Sequence, residues 1–221
     1  METEALRTLH EGFLYLVMGS IIVAVSSLLA PGLALRVGAG AAPSANLGLI
    51  TALSVMLLIG SAFNLYAVLG KIRGGMRELS SIDGGFRISY VGTALISIGL
   101  VVSMSVFIAL VVSMSRASAP DVLVTPGGPP SRLVGAVVAA QFGTFFQLIG
   151  ALLTFVGGAF KLYGRYGGAL FLAAGVLYVV DLLLAFLGLQ GLLQFVGHVL
   201  MYIALGNAIR AAGLRAKRGS L

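Results

Sequence analysis

The chain has 221 residues, of which 59% are hydrophobic and only 10% are charged, whereas soluble domains carry about 25% charged residues. This composition excludes a soluble globular protein and leaves room for about six membrane-spanning helices and no second domain of any size. The sequence contains no cysteine, which excludes disulfides, thiolate metal sites and a cysteine nucleophile. We therefore predict a single transmembrane domain over residues 1–221.

Six apolar runs follow one another along the chain and predict an all-α, polytopic membrane bundle of six transmembrane helices. The polar opening, residues 1–11, is expected to form a short helix along the membrane surface. Glu2, Glu4 and Glu11 precede a run too long for a signal peptide, so the first helix is expected to be retained. The predicted spans cover about residues 12–35, 47–70, 88–115, 133–160, 169–188 and 190–211.

The most charged connection is KIRGGMRELSSIDGGFR, residues 71–87. Its mixed charge, with a pair of glycines near each end, predicts a short interfacial helical turn between two hinges. The connection SRASAPDVLVTPGGPPSR, residues 115–132, holds four of the six prolines and predicts an irregular loop.

The net charge of +7 reflects membrane topology. Eleven of the fourteen basic residues fall at one end of the predicted spans and three at the other, which predicts that this end and both chain termini are cytoplasmic in a cell membrane. The basic residues are accordingly expected to contact anionic lipid headgroups and not nucleic acid. Those assigned to headgroups are Lys71, Arg73, Arg77, Arg87, Lys161, Arg165, Arg210, Arg215, Lys217 and Arg218.

A weak internal repeat accompanies these spans. The three outward-going helices each open with glycines seven residues apart, namely Gly12 and Gly19, Gly85 and Gly92, and Gly168 and Gly175. Three helical hairpins in parallel orientation would explain the pattern, and some transporters are built on such a plan. Because the chain has 31 glycines, chance matches explain it as well, and the repeat stays open.

Two ionisable residues, Asp181 and His198, lie deep in the last hairpin. A turn between Leu189 and Gln190 would place both at about 13 Å below the outer surface. Ionisable groups at such depth usually face the bundle interior or a partner. We therefore expect an Asp181–His198 pair within a polar cluster that also contains Gln194, Gln141 and Tyr178.

Two interpretations of this cluster are open. A proton relay or cation site would need such groups, whereas a clamp that holds the hairpin closed would contribute about 0.6–2 kcal/mol. The amides of Asn64, Gln147 and Asn207 are predicted to cross-link helices, because amides inside a bundle usually do so. No metal ligand set or cofactor motif occurs, and neither does a phosphate-binding loop or a hydrolase motif.

One stretch resembles a known family. The segment LYAVLGKIRGGMRELSSIDGGFRISYVGTALISIGL, residues 65–100, and the opening EALRTLHEGFLYLVMGS resemble an archaeal family of multi-spanning membrane proteins classed as a domain of unknown function. The resemblance implies an archaeal cell membrane and brings no activity, cofactor or binding residue.

We therefore expect a non-enzymatic integral membrane protein that serves as an accessory or scaffolding subunit of a membrane assembly, or that self-associates. The alternative is a small transporter or channel with its polar site at Asp181 and His198. Membrane lipids are the expected partners, together with further copies of the chain or other membrane subunits.

Overall fold

The computed structural model describes residues 2–38, 43–116, 131–185 and 191–218, and these residues are helical apart from short connections. The α-helices are α1 (Glu2–Gly38), α2 (Pro43–Tyr66), α3 (Arg73–Ile82), α4 (Arg87–Arg116), α5 (Ser131–Ala151), α6 (Gly157–Tyr166), α7 (Ala169–Ala185) and α8 (Leu192–Arg218). Two π-helical segments, π1 (Ala67–Ile72) and π2 (Leu152–Val156), join α2 to α3 and α5 to α6, so each of these pairs forms one continuous rod. A 3₁₀ turn, Gly84–Phe86, leads into α4.

Five helical stretches in the described part of the chain are long and apolar enough to cross a membrane. They are Glu2–Ser26, Thr51–Ile82, Gly84–Ala109, Gly135–Tyr166 and Leu192–Leu214. The helix α7 is also apolar, but its 17 described residues make it shorter than these five. The end of its predicted span, residues 186–188, lies outside the described residues. The protein is thus an all-α, multi-pass membrane protein.

The structure differs from the sequence prediction at the start of the chain. Residues 2–11 do not form a separate surface helix, because α1 runs without a break from Glu2 to Gly38. Ala5, Leu6 and Leu9 are fully buried and lie at the three- and four-residue spacing that continues the apolar stripe of the span. The opening of the chain is therefore part of the bundle core.

The glycine pair at 74 and 75 is likewise not a hinge, since the helix runs through it from α2 to α3. A methyl group at Gly75 would lie 2.9 Å from the backbone oxygen of Ala5 and 2.6 Å from Leu9 Cγ. This glycine therefore allows α3 to touch α1. Within residues 71–87 the chain bends at Asp83, which is extended and accepts a hydrogen bond from Gly85 N at 2.8 Å.

The helices form three antiparallel hairpins arranged in a closed ring. The hairpins are α1 with α2, α4 with α5, and α7 with α8. Around the ring, α2 and π1 contact α4, α7 contacts π2 and α6, and α8 returns to α1. Each rod therefore packs mainly against two neighbours, and α8 packs against α1.

One end of the ring is tightly packed. We call it the basic end, defined by Glu2, Lys71 and Arg165. Ion pairs join Lys71 to Glu11 at 2.7 Å, and Arg165 to Glu2 at 2.9 Å and to Asp83 at 3.4 Å. Beneath these pairs lie fully buried side chains from α1, α3, α6, α8 and the 3₁₀ turn, including Leu6, Phe13, Met76, Leu79, Phe86, Leu162, Met201 and Leu205.

The first two hairpins share a pattern of glycine contacts. A methyl group at Gly60 would lie 3.1 Å from Gly19 O, and one at Gly143 would lie 3.1 Å from Gly99 O. Further along, Gly12 packs against Ile72 of π1, while Gly92 packs against Leu153 of π2. Gly12, Gly19 and Gly60 of the first hairpin thus correspond to Gly92, Gly99 and Gly143 of the second.

This correspondence revises the repeat considered from the sequence, where Gly12 and Gly19 were matched to Gly85 and Gly92. In the structure the counterparts of Gly12 and Gly19 are Gly92 and Gly99, which lie seven residues further along the chain than the pair matched from the sequence. In the third hairpin, Gly168 has φ +93 at the start of α7 and Gly175 packs against Phe160. The glycine pattern therefore relates two hairpins, and the third is held differently.

Gly75→Ala should destabilise the protein by about 1–3 kcal/mol, because the added methyl group overpacks the contact with Ala5 and Leu9. Gly74→Ala is the matched control: its methyl group would meet only Thr8 Cγ2 at 3.7 Å, and the change should be neutral or stabilise by up to about 1 kcal/mol. Unfolding in mixed detergent micelles, followed by circular dichroism, measures both. Equal effects would mean that Gly75 is not a packing glycine.

Candidate functional site

A cavity of about 690 Å³ lies inside the ring, on the side away from the basic end. Side chains from all three hairpins line it, among them Leu16, Val68, Ile96, Leu148, Leu182 and Phe195. Its polar lining consists of Ser20, Asn64, Thr144, Gln147, Tyr178, Asp181, Gln194 and His198. Cavities of about 300–1,000 Å³ with mostly apolar walls and a few polar groups are typical of small-molecule sites.

Asp181 joins α7 to the start of α8. Its two carboxylate oxygens, Oδ1 and Oδ2, accept the Gly191 N–H at 3.0 and 3.2 Å. Gly191 has φ +108 and precedes the first turn of α8, where backbone N–H groups have no partner within the helix. A carboxylate is also favoured by the positive end of the helix dipole. Asp181 therefore stabilises the turn while still lining the cavity.

A second contact closes the same hairpin one helical turn deeper. Tyr178 OH shares a hydrogen bond with His198 Nδ1 at 2.8 Å, and both side chains are 2% exposed. The ring of Tyr178 lies directly over Gly197, where an added methyl group would come within 2.5 Å of Tyr178 Cε1. The absent side chain at Gly197 thus lets Tyr178 reach His198.

The expected ion pair between Asp181 and His198 does not form, since no ion pair joins these two described residues. The cause is the position at which α8 begins. Gly191 lies beside Asp181, and His198 is seven residues further on, or about 10 Å along the helix. Tyr178 lies one turn before Asp181 on α7 and has the longer side chain, so its hydroxyl group reaches His198. Asp181 bonds instead to the backbone of Gly191.

An aromatic cluster separates the cavity from the packed basic end. Phe155 of π2 is its centre, with ring centroids 4.9 Å from His198, 5.4 Å from Tyr178 and 6.1 Å from Phe13. Sequence reasoning missed Phe13 and Phe155. The spacing of Phe13 from Leu9 and Leu16 indicates a core position, but the placement of Phe155 depends on the extra residue of π2, which no sequence pattern indicated.

The amides singled out from the sequence have different surroundings. Gln147 donates from Nε2 to Ser103 Oγ at 2.8 Å and joins α5 to α4. Asn64 lines the cavity, with Oδ1 buried against Gly19 and without a hydrogen-bond partner among the described residues. Asn207 is exposed on α8. Gln194 lines the cavity, whereas Gln141 is exposed on α5 and lies outside the lining, so the structure does not bring Gln141 to the cluster.

The basic residues assigned to lipid headgroups fall into three groups. Lys71 and Arg165 are engaged in ion pairs, and Arg73 lies 5.2 Å from the centroid of the Tyr90 ring. Arg77, Arg87, Lys161 and Arg210 are exposed. The side chains of Arg215, Lys217 and Arg218 lie outside the described part of the structure.

Residues 2–218 match the family DUF973, described as a protein of unknown function. The chain belongs to the DUF973 family. No curated protein and no solved structure matches it. Among the described residues of this DUF973 protein, no group of three or more histidine, aspartate or glutamate side chains is arranged to hold a metal ion. Its central cavity is therefore the starting point for any functional argument.

A double-mutant cycle distinguishes the observed bonds from the expected ion pair. Tyr178→Phe and His198→Leu should show a coupling free energy of about 0.6–2 kcal/mol, because they remove the same hydrogen bond. Asp181→Asn and His198→Leu should be additive to within about 0.5 kcal/mol, because they act on separate bonds. Free energies of unfolding of the single and double variants give both couplings. A larger coupling free energy between Asp181→Asn and His198→Leu than between Tyr178→Phe and His198→Leu would show that Asp181 and His198 form an ion pair.

Proposed function

We propose that this DUF973 protein is a small membrane carrier that binds a largely apolar solute in the cavity at the centre of its ring. The observation that carries the proposal is the cavity of about 690 Å³, which is lined by side chains from all three hairpins and contains Asp181. A bundle that served only as a scaffold would bury more apolar surface by filling this space, because membrane helices associate through close packing.

The way the cavity is closed supports a carrier. The aromatic cluster and the packed basic end block one side of it. The segments π1 and π2 lie at this boundary, where Val68 and Phe155 reach the cavity, and π-helical segments frequently occur at functional sites. Movement of the two glycine-matched hairpins against the third would open the blocked side, which is the motion that alternating access requires.

For the topology, we propose six spans with α7 as the fifth, and both termini in the cytoplasm. The support is the accumulation of eleven basic residues at the end that carries the chain termini. Ser81 is exposed at this end. In intact cells the thiol of Ser81→Cys should react with an impermeant maleimide only after permeabilisation, since the chain has no other cysteine. Labelling of Ser81→Cys in intact cells would place this end of the protein outside the cell and contradict the proposed topology.

Single-cysteine variants test access to the cavity. The thiol of Ser20→Cys, within the cavity, should react severalfold faster with methyl methanethiosulfonate than that of Ser97→Cys, which is 6% exposed and outside the cavity lining. Unfolding both variants in detergent and labelling them again controls for intrinsic reactivity. Equal reaction rates of the two thiols in the folded protein would mean that the cavity does not admit a small molecule, which would overturn the proposal of a carrier.

The blocked side is tested in proteoliposomes. A membrane-impermeant thiol reagent should reach Ser20→Cys from one face of the membrane. Adding Phe155→Ala, which removes the central ring of the aromatic cluster, should make the thiol reactive from both faces. Leu152→Ala is the control, because Leu152 belongs to π2 but is 47% exposed. Reactivity from both faces in the parent variant would contradict a carrier closed at one side.

Self-association, the other function expected from the sequence, has one observation in its favour. Gln141 is exposed on an apolar face of α5 between Val137 and Phe145, about 9 Å from the start of the candidate span. An amide facing hydrocarbon is unfavourable unless it finds a partner, and the Gln141 of a second copy would supply one. If so, Gln141→Cys should give a disulfide-linked dimer on oxidation, and Val101→Cys, 48% exposed on α4, should not. Equal cross-linking of Gln141→Cys and Val101→Cys would show that Gln141 does not lie at a contact between two copies.

A further inference from the structure

The two matched hairpins differ at one pair of polar positions. A methyl group at Gly60 would meet Val23 Cγ2 at 2.8 Å, and one at Gly143 would meet Ser103 Oγ at 2.6 Å. Val23 is therefore the counterpart of Ser103. Four residues after these glycines stand Asn64 and Gln147, which are counterparts and both line the cavity.

This difference leaves one amide oxygen without a partner. Gln147 bonds to Ser103 Oγ at 2.8 Å. Asn64 has Val23 where Gln147 has a hydroxyl group, and its Oδ1 has no hydrogen-bond partner within the described residues. A buried amide oxygen without a hydrogen bond is unfavourable in an apolar medium. Rotation of the amide about Cβ–Cγ would bring this oxygen to the cavity, where a solute that donates a hydrogen bond would satisfy it.

The remaining polar lining indicates the charge of that solute. Asp181 accepts one backbone N–H, and a carboxylate can accept about four hydrogen bonds. Tyr178 OH and His198 Nδ1 are engaged with each other. No lysine or arginine is among the described residues that line the cavity. An anion would therefore meet an acid without a compensating base, whereas a cation would be attracted strongly in this low-dielectric environment.

We infer that the solute is an amphipathic organic cation, a primary or secondary ammonium group on an apolar body. Asp181 accepts hydrogen bonds from the ammonium group and is its counter-ion. Asn64 accepts another N–H of the same ammonium group after a half-turn about Cβ–Cγ, which exchanges Oδ1 and Nδ2 and presents the oxygen to the cavity. The body packs against Leu16, Leu100 and Phe195. This inference rests on the proposed function and adds the class of solute to it.

Three probes with the same apolar body and different head groups test the charge class: 1-adamantylammonium, 1-adamantanol and 1-adamantanecarboxylate. Calorimetric titration into the full chain in nanodiscs should show the ammonium binding at least about tenfold more tightly than the alcohol, since hydrogen bonds to charged groups contribute more than neutral ones. Asp181→Asn should remove this preference. A melting temperature measured on each variant confirms that it is folded.

The outcomes separate the two proposals. Equal or tighter binding of the alcohol or the carboxylate overturns the cation class and leaves a cavity that binds solutes. If none of the probes binds, the inference is overturned, while the labelling of Ser20→Cys decides independently whether the cavity admits small molecules. A preference for the ammonium that survives Asp181→Asn overturns the role of Asp181.

Exchanging the residues that differ between the hairpins tests Asn64. Val23→Ser gives Asn64 the hydroxyl partner that Gln147 already has and should weaken binding of 1-adamantylammonium about tenfold, the factor that one hydrogen bond contributes. Ser103→Val is the matched control: it frees Gln147 and should not weaken binding. Asn64→Leu should weaken binding as Val23→Ser does. Unchanged affinity in both Val23→Ser and Asn64→Leu overturns the assignment of Asn64.

Discussion

The structure depends on direct backbone contact between the outward and returning helix of each of the first two hairpins. Gly19 against Gly60, and Gly99 against Gly143, fix the register of each hairpin, because no other residue permits so close an approach. That register places Asn64 and Gln147 at equivalent points of the cavity wall. A shift of one residue in either helix would turn these amides away from the interior.

The third hairpin is held by hydrogen bonds from side chains instead. Asp181 to Gly191, and Tyr178 to His198, join its two arms, and both contacts line the same cavity. The cavity therefore has two walls stabilised by glycine packing and one wall that carries an acid. A cation of the proposed class would therefore meet its counter-ion on a single side, at a residue that also bonds to the backbone at the start of α8.

Much of the fold follows from the sequence, because length and apolarity suffice to identify the five long spans, and the positions of the polar residues show which lie at depth. The details of the site do not follow. The start of α8 depends on Gly191 at φ +108. Counting equal numbers of residues from a turn between Leu189 and Gln190 therefore paired Asp181 with His198, whereas Asp181 bonds to Gly191. Gly75 looks like a hinge in the sequence and is a packing contact with α1 in the structure. Phe155 reaches the cavity through π2, which has no sequence signature.

The closure of the ring by α1 and α8 has a consequence for biosynthesis. Along the chain, α1 is made long before α8, and the partner of Glu2, Arg165, lies in the fourth of the five long candidate spans. Until α8 is made, the face of α1 that packs against it is uncovered. Closure of the ring therefore waits for α8, and a chain that ended before residue 191 would lack the wall of the cavity that carries Gln194 and His198.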